Sequence, residues 1–204
     1  MPGAEFFLTA LIVVLIPGTG VVYTIATGLA RGRLASIWAA FGCTLGIVPH
    51  ILASVLGLAA ILHTSAVLFQ GLKYAGAAYL IYLAVQTLRE RGPISFSGEN
   101  KTRTGFDVVR TGFLINILNP KLSIFFLAFL PQFVSPGSQT ALFEMLVLGG
   151  LFMGMTFAVF LVYGFFAAWA GKKVLGSVTI MSWMRRTTAL VFAGLGARLA
   201  LAER

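Results

Sequence analysis

EMLVLGGLFMGMTFAVFLVYGFFAAWAGK, residues 144–172, opens with Glu144, closes with Lys172 and encloses no other charge. Crossing the hydrocarbon core of a bilayer takes about 20 consecutive apolar residues at the helical rise, and this stretch exceeds that length. Two further uncharged stretches lie upstream, from Glu5 to Arg31 and from Arg33 to Lys73. Together the three hold enough for about four spans. Charged residues are only 10% of the chain and apolar ones 58%, and a soluble domain needs more charge to cover its surface. The chain reads as an all-α integral membrane protein whose solvent is the lipid bilayer.

Polar breaks divide the apolar runs into about six expected spans, near 6–30, 36–61, 66–88, 109–132, 141–170 and 183–201. The breaks are Arg31-Gly32-Arg33, His63-Thr64-Ser65, Arg89 to Asp107 with Gly92-Pro93, Ser135 to Ser138, and Lys172 to Arg186. The first, third and fifth carry Lys and Arg, and the second and fourth carry neither. By the positive-inside rule the odd loops are cytoplasmic, which leaves both termini outside. The isoelectric point near 10.3 therefore comes from helix-orienting loops. No aromatic platform or basic face accompanies it, so nucleic acid is not an expected partner. Cys43 is the only cysteine, which excludes an internal disulfide. Met1 to Phe7 carries Glu5 and no basic residue, so the first helix is expected to be retained instead of cleaved as a signal.

The long third loop separates two groups of three spans. Because three is odd, a second copy enters the membrane from the opposite side. The expectation is one transport domain, 1–204, built as repeat one (1–88), a cytoplasmic linker (89–107) and an inverted repeat two (108–204). Pro17 and Pro120 each fall near the middle of the first span of their half, and Gly46 and Gly149 lie equally far beyond them. Inverted repeats with broken first helices point to a transport site at the bilayer midplane.

Asn116-Ile117-Leu118-Asn119-Pro120-Lys121 is the most informative run. Proline removes a helical hydrogen bond, and in hydrocarbon the freed carbonyl must find another partner. Asn119 is a favoured N-cap and Pro120 suits the first helical position, so a half-helix starting here would aim free N–H groups inward. Lys121 adds a full charge, and the combination suits a carboxylate. Ile16-Pro17-Gly18-Thr19-Gly20 is the counterpart in span one, with Thr19 as the expected cap of its second half. Substrate binding is thus assigned to Pro17, Gly18, Thr19, Gly20, Asn116, Asn119, Pro120 and Lys121.

In span two, Gly42, Gly46, His50, Ser54 and Gly57 share a helical stripe, and small residues at that spacing allow close helix packing. His50 then faces the bundle interior, either as a candidate proton relay or as a packed, hydrogen-bonded histidine beside a kink at Pro49. Asn116, Asn119 and Ser123 fall on one face of span four. Two histidines with no nearby carboxylate make no metal site, and no cofactor motif occurs. Every acidic residue (Glu5, Glu90, Glu99, Asp107, Glu144, Glu203) lies at a span end, in a loop or at the C-terminus. A deep site for a cationic group normally offers a carboxylate, so a neutral solute bearing a carboxylate fits better. No nucleophile sits beside a base, which argues against a membrane enzyme. A purely structural membrane protein has no use for two helix breaks.

These residues resemble the LysE/RhtB family of bacterial amino-acid exporters over essentially the whole chain. The most specific segment is Gly112 to Lys121, continued through Phe125 to Phe133; Pro17-Gly18, Gly42-x-x-x-Gly46-x-x-x-His50 and Ala75 to Leu83 also match. The resemblance implies six helices, a location in the bacterial cytoplasmic membrane, and export of small amino acids driven by proton exchange. The sequence departs at Thr19-Gly20, where the family usually has a second proline followed by Asp or Asn, and at Ile47, where many members have an acid. The alternative is a transporter or channel for another small anionic or zwitterionic solute. The oligomeric state is left open, a homo-oligomer included.

Overall fold

The computed structural model describes residues 3–62, 104–134, 138, 140–170 and 178–201, with scattered helical positions between Gly71 and Arg89. Among them every regular element is a helix. The first expected span is two helices, α1 (Ala4–Leu15) and α2 (Thr19–Arg31), set at 54° to one another. Pro17 has no N–H for the preceding turn, and Gly18 continues in extended conformation, so the ladder stops and restarts. The second span is α3 (Arg33–Leu45) and α4 (Val48–Leu62), joined by one turn at Gly46-Ile47. The expected kink at Pro49 is thus a break just upstream of it. Pro49 cannot donate to the Leu45 carbonyl, and the Ile47 N–H turns to Thr44 at 3.0 Å.

The fourth span is also broken, into α5 (Gly105–Ile117) and α6 (Pro120–Ala128), followed by a 3-10 turn at Leu130–Phe133. α5 starts ahead of the expected 109 because Thr104 and Asp107 form a capping box. The Asp107 N–H donates to Thr104 Oγ1 at 3.3 Å and the Thr104 N–H to Asp107 Oδ2 at 2.9 Å. Residues 105–107, read as the end of the linker, are therefore helix. α7 (Ala141–Ala170) is unbroken over 30 residues, about 45 Å at the helical rise. α8 (Val178–Leu201) begins ahead of the expected 183. Most of the linker, the turn at 63–65 and most of the turn at 135–138 lie outside the described residues. Among those described, Arg33–Gly57 and Ala141–Trp169 are each long and apolar enough to cross a membrane, and the bent α1–α2 pair makes a third where its two helices count as one span.

Glycines set the helix separations. A Cβ on Gly42 would collide with the Val109 backbone, and one on Gly46 would stand 2.8 Å from the Phe113 carbonyl. Between α2 and α7, a Cβ on Gly28 would stand 2.6 Å from the Gly164 carbonyl. Backbones this close replace the hydrophobic effect, which lipid does not supply, with dispersion contacts. Large apolar side chains such as Leu56, Phe143 and Trp169 face outward, as expected where the surroundings are hydrocarbon.

The buried apolar side chains form two cores. One gathers Phe6, Ile51, Phe125, Phe126, Met145 and Phe152 from α1, α4, α6 and the first half of α7. The other gathers Val21, Tyr23, Ala39, Val108, Phe160 and Ala167 from α2, α3, α5 and the second half of α7. The breaks at Pro17, Gly46-Ile47 and Leu118-Asn119 lie at the level where one core ends and the other begins.

Candidate functional site

A helix break in a membrane leaves carbonyls without partners, and each costs several kcal/mol if left bare in hydrocarbon. Pro120 has no N–H for the Asn116 carbonyl one turn back. The Asn119 N–H reaches that carbonyl instead, at 3.0 Å, and His50 Nε2 is its second donor, at 2.9 Å. The turn at Gly46-Ile47 likewise opens the Cys43 carbonyl, and Asn116 Nδ2 donates to it at 2.7 Å. Each broken span therefore sends a side-chain donor to a carbonyl at the other's break. Ser54, one turn beyond His50, donates to the Phe126 carbonyl near the end of α6 at 2.6 Å. The stripe Gly42, Gly46, His50, Ser54, Gly57 thus faces the broken α5–α6 pair along its length, with Gly57 against Leu127.

The tautomer of His50 follows from these contacts. A carbonyl oxygen only accepts, so Nε2 carries the hydrogen. In the neutral ring Nδ1 is then an acceptor, and Ser123 Oγ donates to it at 3.1 Å. His50 is 5% exposed and Asn116 3%, so the exchange of carbonyl partners is sealed inside the protein.

The breaks at Pro17 and Pro120 meet. Asn119 Nδ2 donates to Thr19 Oγ1 at 3.2 Å across 100 positions of sequence. Beside this bond lies a cavity of about 30 Å³. Gly18, Gly20, Asn116, Asn119 and Thr156 form its polar side. Ile16, Ile47, Leu122, Phe152 and Phe160 form the apolar side, and no described lining residue is ionisable. The space admits about one water molecule and no amino acid.

The structure thus brings Gly18, Gly20, Asn116 and Asn119 to one cavity, with Thr19 bonded at its edge and Pro17 in the adjoining break. Pro120 is the first residue of α6 and Lys121 the second; the Lys121 side chain lies outside the described residues. Thr19 does not cap α2. Gly18 occupies that position without a side-chain bond, and Thr19, already helical, is engaged by Asn119. The expected shared face of Asn116, Asn119 and Ser123 divides, since Ser123 turns to His50. Sequence reasoning did not find Thr156, Phe152 and Phe160. They come from α7, whose uninterrupted apolar pattern marks no position as special. A Cβ on Gly20 would stand 2.7 Å from Asn116 Oδ1 and 3.0 Å from Phe160, so glycine here keeps the breaks in contact.

The family model described as LysE type translocator matches residues 11–203. An uncharacterized membrane protein of Vibrio cholerae is 33% identical over 198 residues, covering 97% of this chain and 96% of that protein. The homoserine/homoserine lactone efflux protein of Salmonella typhimurium is 33% identical over 144 residues, covering 71% of this chain and 69% of its own. The leucine efflux protein of Klebsiella pneumoniae is 26% identical over 203 residues, 96% of this chain and 92% of that one. No solved structure matches. With the family match running through both half-helix starts and nearly the whole chain, this protein belongs to the LysE family of membrane translocators.

Proposed function

We propose that this chain is a secondary transporter exporting small neutral amino acids, or close derivatives, across the bacterial cytoplasmic membrane. The observation that carries the reading is the meeting of two helix breaks around one small cavity, bridged by Asn119 and Thr19. Paired interrupted helices supply free backbone groups for a polar solute where an intact helix offers none. The first turn of α6 lies at this cavity, its positive end suited to the substrate carboxylate, and Lys121 adds charge to the same half-helix. The apolar side, Ile47 with Phe152 and Phe160, suits an uncharged side chain. The efflux names of the leucine and homoserine relatives support an amino-acid cargo.

In this proposal the six spans form two inverted repeats, 1–88 and 108–204, about a cytoplasmic linker at 89–107, with both termini outside. Proton antiport drives export, and His50 is the relay. A second reading, another small anionic or zwitterionic solute, is favoured only by the positive half-helix end. Counterflow in proteoliposomes tests the first reading. Labelled leucine, homoserine or threonine is expected to exchange faster than lysine or arginine. Preferential movement of a cationic amino acid, or of inorganic anions alone, overturns it.

A further inference from the structure

We infer that Nδ1 of His50 is the atom that takes the exchanged proton, and that Ser123 is the positioning residue through which α6 responds to it. The inference rests on the transport reading above. Nε2 is committed as a donor to the Asn116 carbonyl at 2.9 Å, so the ring has one basic nitrogen left, and it faces Ser123 at 3.1 Å. A proton arriving there makes the imidazole an imidazolium while the Nε2–H bond to Asn116 stays in place. The side-chain donor at the Pro120 break is therefore kept in both charge states.

The hydroxyl of Ser123 cannot remain as it was. In the neutral state Oγ–H donates to Nδ1; once Nδ1 carries a proton, Oγ must accept, and its hydrogen turns elsewhere. One turn back, just ahead of α6, is the Asn119 carbonyl, the usual acceptor for a serine at this position. Its bond from the Ser123 N–H is long, 3.4 Å, and it already accepts the Leu122 N–H at 3.1 Å. Asn119 is also the residue whose side chain holds Thr19 across the cavity. A proton gained on α4 thus rearranges hydrogen bonds at the contact between the two breaks.

Few other charges bear on His50. It is the only titratable residue of α4. α7 carries none between Glu144 and its end, apart from the phenol Tyr163. α5 has Asp107 and Arg110 in its first two turns, remote from Asn116. Cys43 on α3 points its thiol to the Gly20 carbonyl at 3.8 Å. Lys121 is the one cation on α6. Among the described residues no carboxylate is hydrogen-bonded to His50, which suits a site that must release its proton.

The test uses the full-length chain in lipid nanodiscs with ¹⁵N-labelled histidine. His63→Gln leaves His50 as the only histidine. Nitrogen resonances should show Nε2 protonated and Nδ1 bare at high pH, with Nδ1 gaining hydrogen on acidification. The opposite tautomer overturns the inference, whatever the cargo. In proteoliposomes, His50→Gln, which keeps an N–H near the Nε2 position but cannot titrate, should lose stimulation of leucine or homoserine counterflow by a pH gradient. Ser123→Ala should displace the pH profile and Ser123→Thr should restore it. Full stimulation in His50→Gln, or an unmoved profile in Ser123→Ala, refutes the proposal. If the unmodified chain moves no amino acid, the cargo reading fails by itself and the tautomer measurement still decides this one.

Discussion

Asn116 donates its side-chain amide to one freed carbonyl and offers its own carbonyl to His50. Leucine in its place would leave the Cys43 carbonyl buried without a donor, a cost of about 1–3 kcal/mol. Lys121 has the opposite character in the proposed site, where its value lies in charge at the start of α6. Lys121→Met keeps length and apolar volume, so folding should survive while substrate affinity falls. A charge-assisted hydrogen bond contributes roughly 1.5–3 kcal/mol, or about ten- to a hundredfold in affinity. Lys121→Arg should recover only part, because a planar guanidinium does not replace a compact ammonium. Counterflow at equal membrane expression measures this, and unchanged apparent affinity in Lys121→Met would remove the lysine from the site. The break at Asn119-Pro120 was legible because proline deletes a specific hydrogen bond wherever it stands. The division of labour between Asn116, Asn119 and Ser123 was not, because each answers a partner at least 73 residues away.

Three of the expected spans are helix pairs instead of single rods, and the glycines along α3 and α4 set how near α5 and α6 lie. Gly42→Val should force α3 from α5, at a cost of about 1–3 kcal/mol or more for overpacking. Gly154 on α7 is exposed with open space beyond it, so Gly154→Ala should be neutral or stabilise by up to about 1 kcal/mol through helix propensity. Thermal unfolding of both purified variants, followed by loss of the monodisperse peak, should separate them clearly. Equal melting would mean that the α3–α5 contact is not tight. Element boundaries show what a sequence carries. Ala141–Ala170 was read at its full length from uninterrupted apolarity alone. The early start of α5 had a signal, Thr104 with Asp107 three residues on, that the charged loop obscured. The break at Gly46-Ile47 had none of its own, because Pro49 marks a missing donor and not the point where the chain yields.

At the scale of the molecule, two apolar cores stacked along α7 meet at the three breaks. The proposed inverted topology predicts that single cysteines at Ser97→Cys and Ser138→Cys, in a chain with Cys43 replaced, label from opposite faces of the membrane. Ser97→Cys should react only from the cytoplasm, and labelling of both from one face would end the repeat argument. Membrane class and loop polarity were open to a reader of the sequence because charge and length are local. The two-core division was not, since it depends on which helix halves touch. The crossed repair of carbonyls also bears on how the protein is made. Ribosomes add roughly 5–20 residues per second, so Asn116, 73 positions after the carbonyl it satisfies, is joined to the chain roughly 4–15 s later. Until then α1–α4 carry an open seam that only unborn residues can close. Nascent chains stalled before residue 116 should therefore be held by the translocation machinery or destroyed, and two halves made as separate polypeptides should survive only when synthesised side by side.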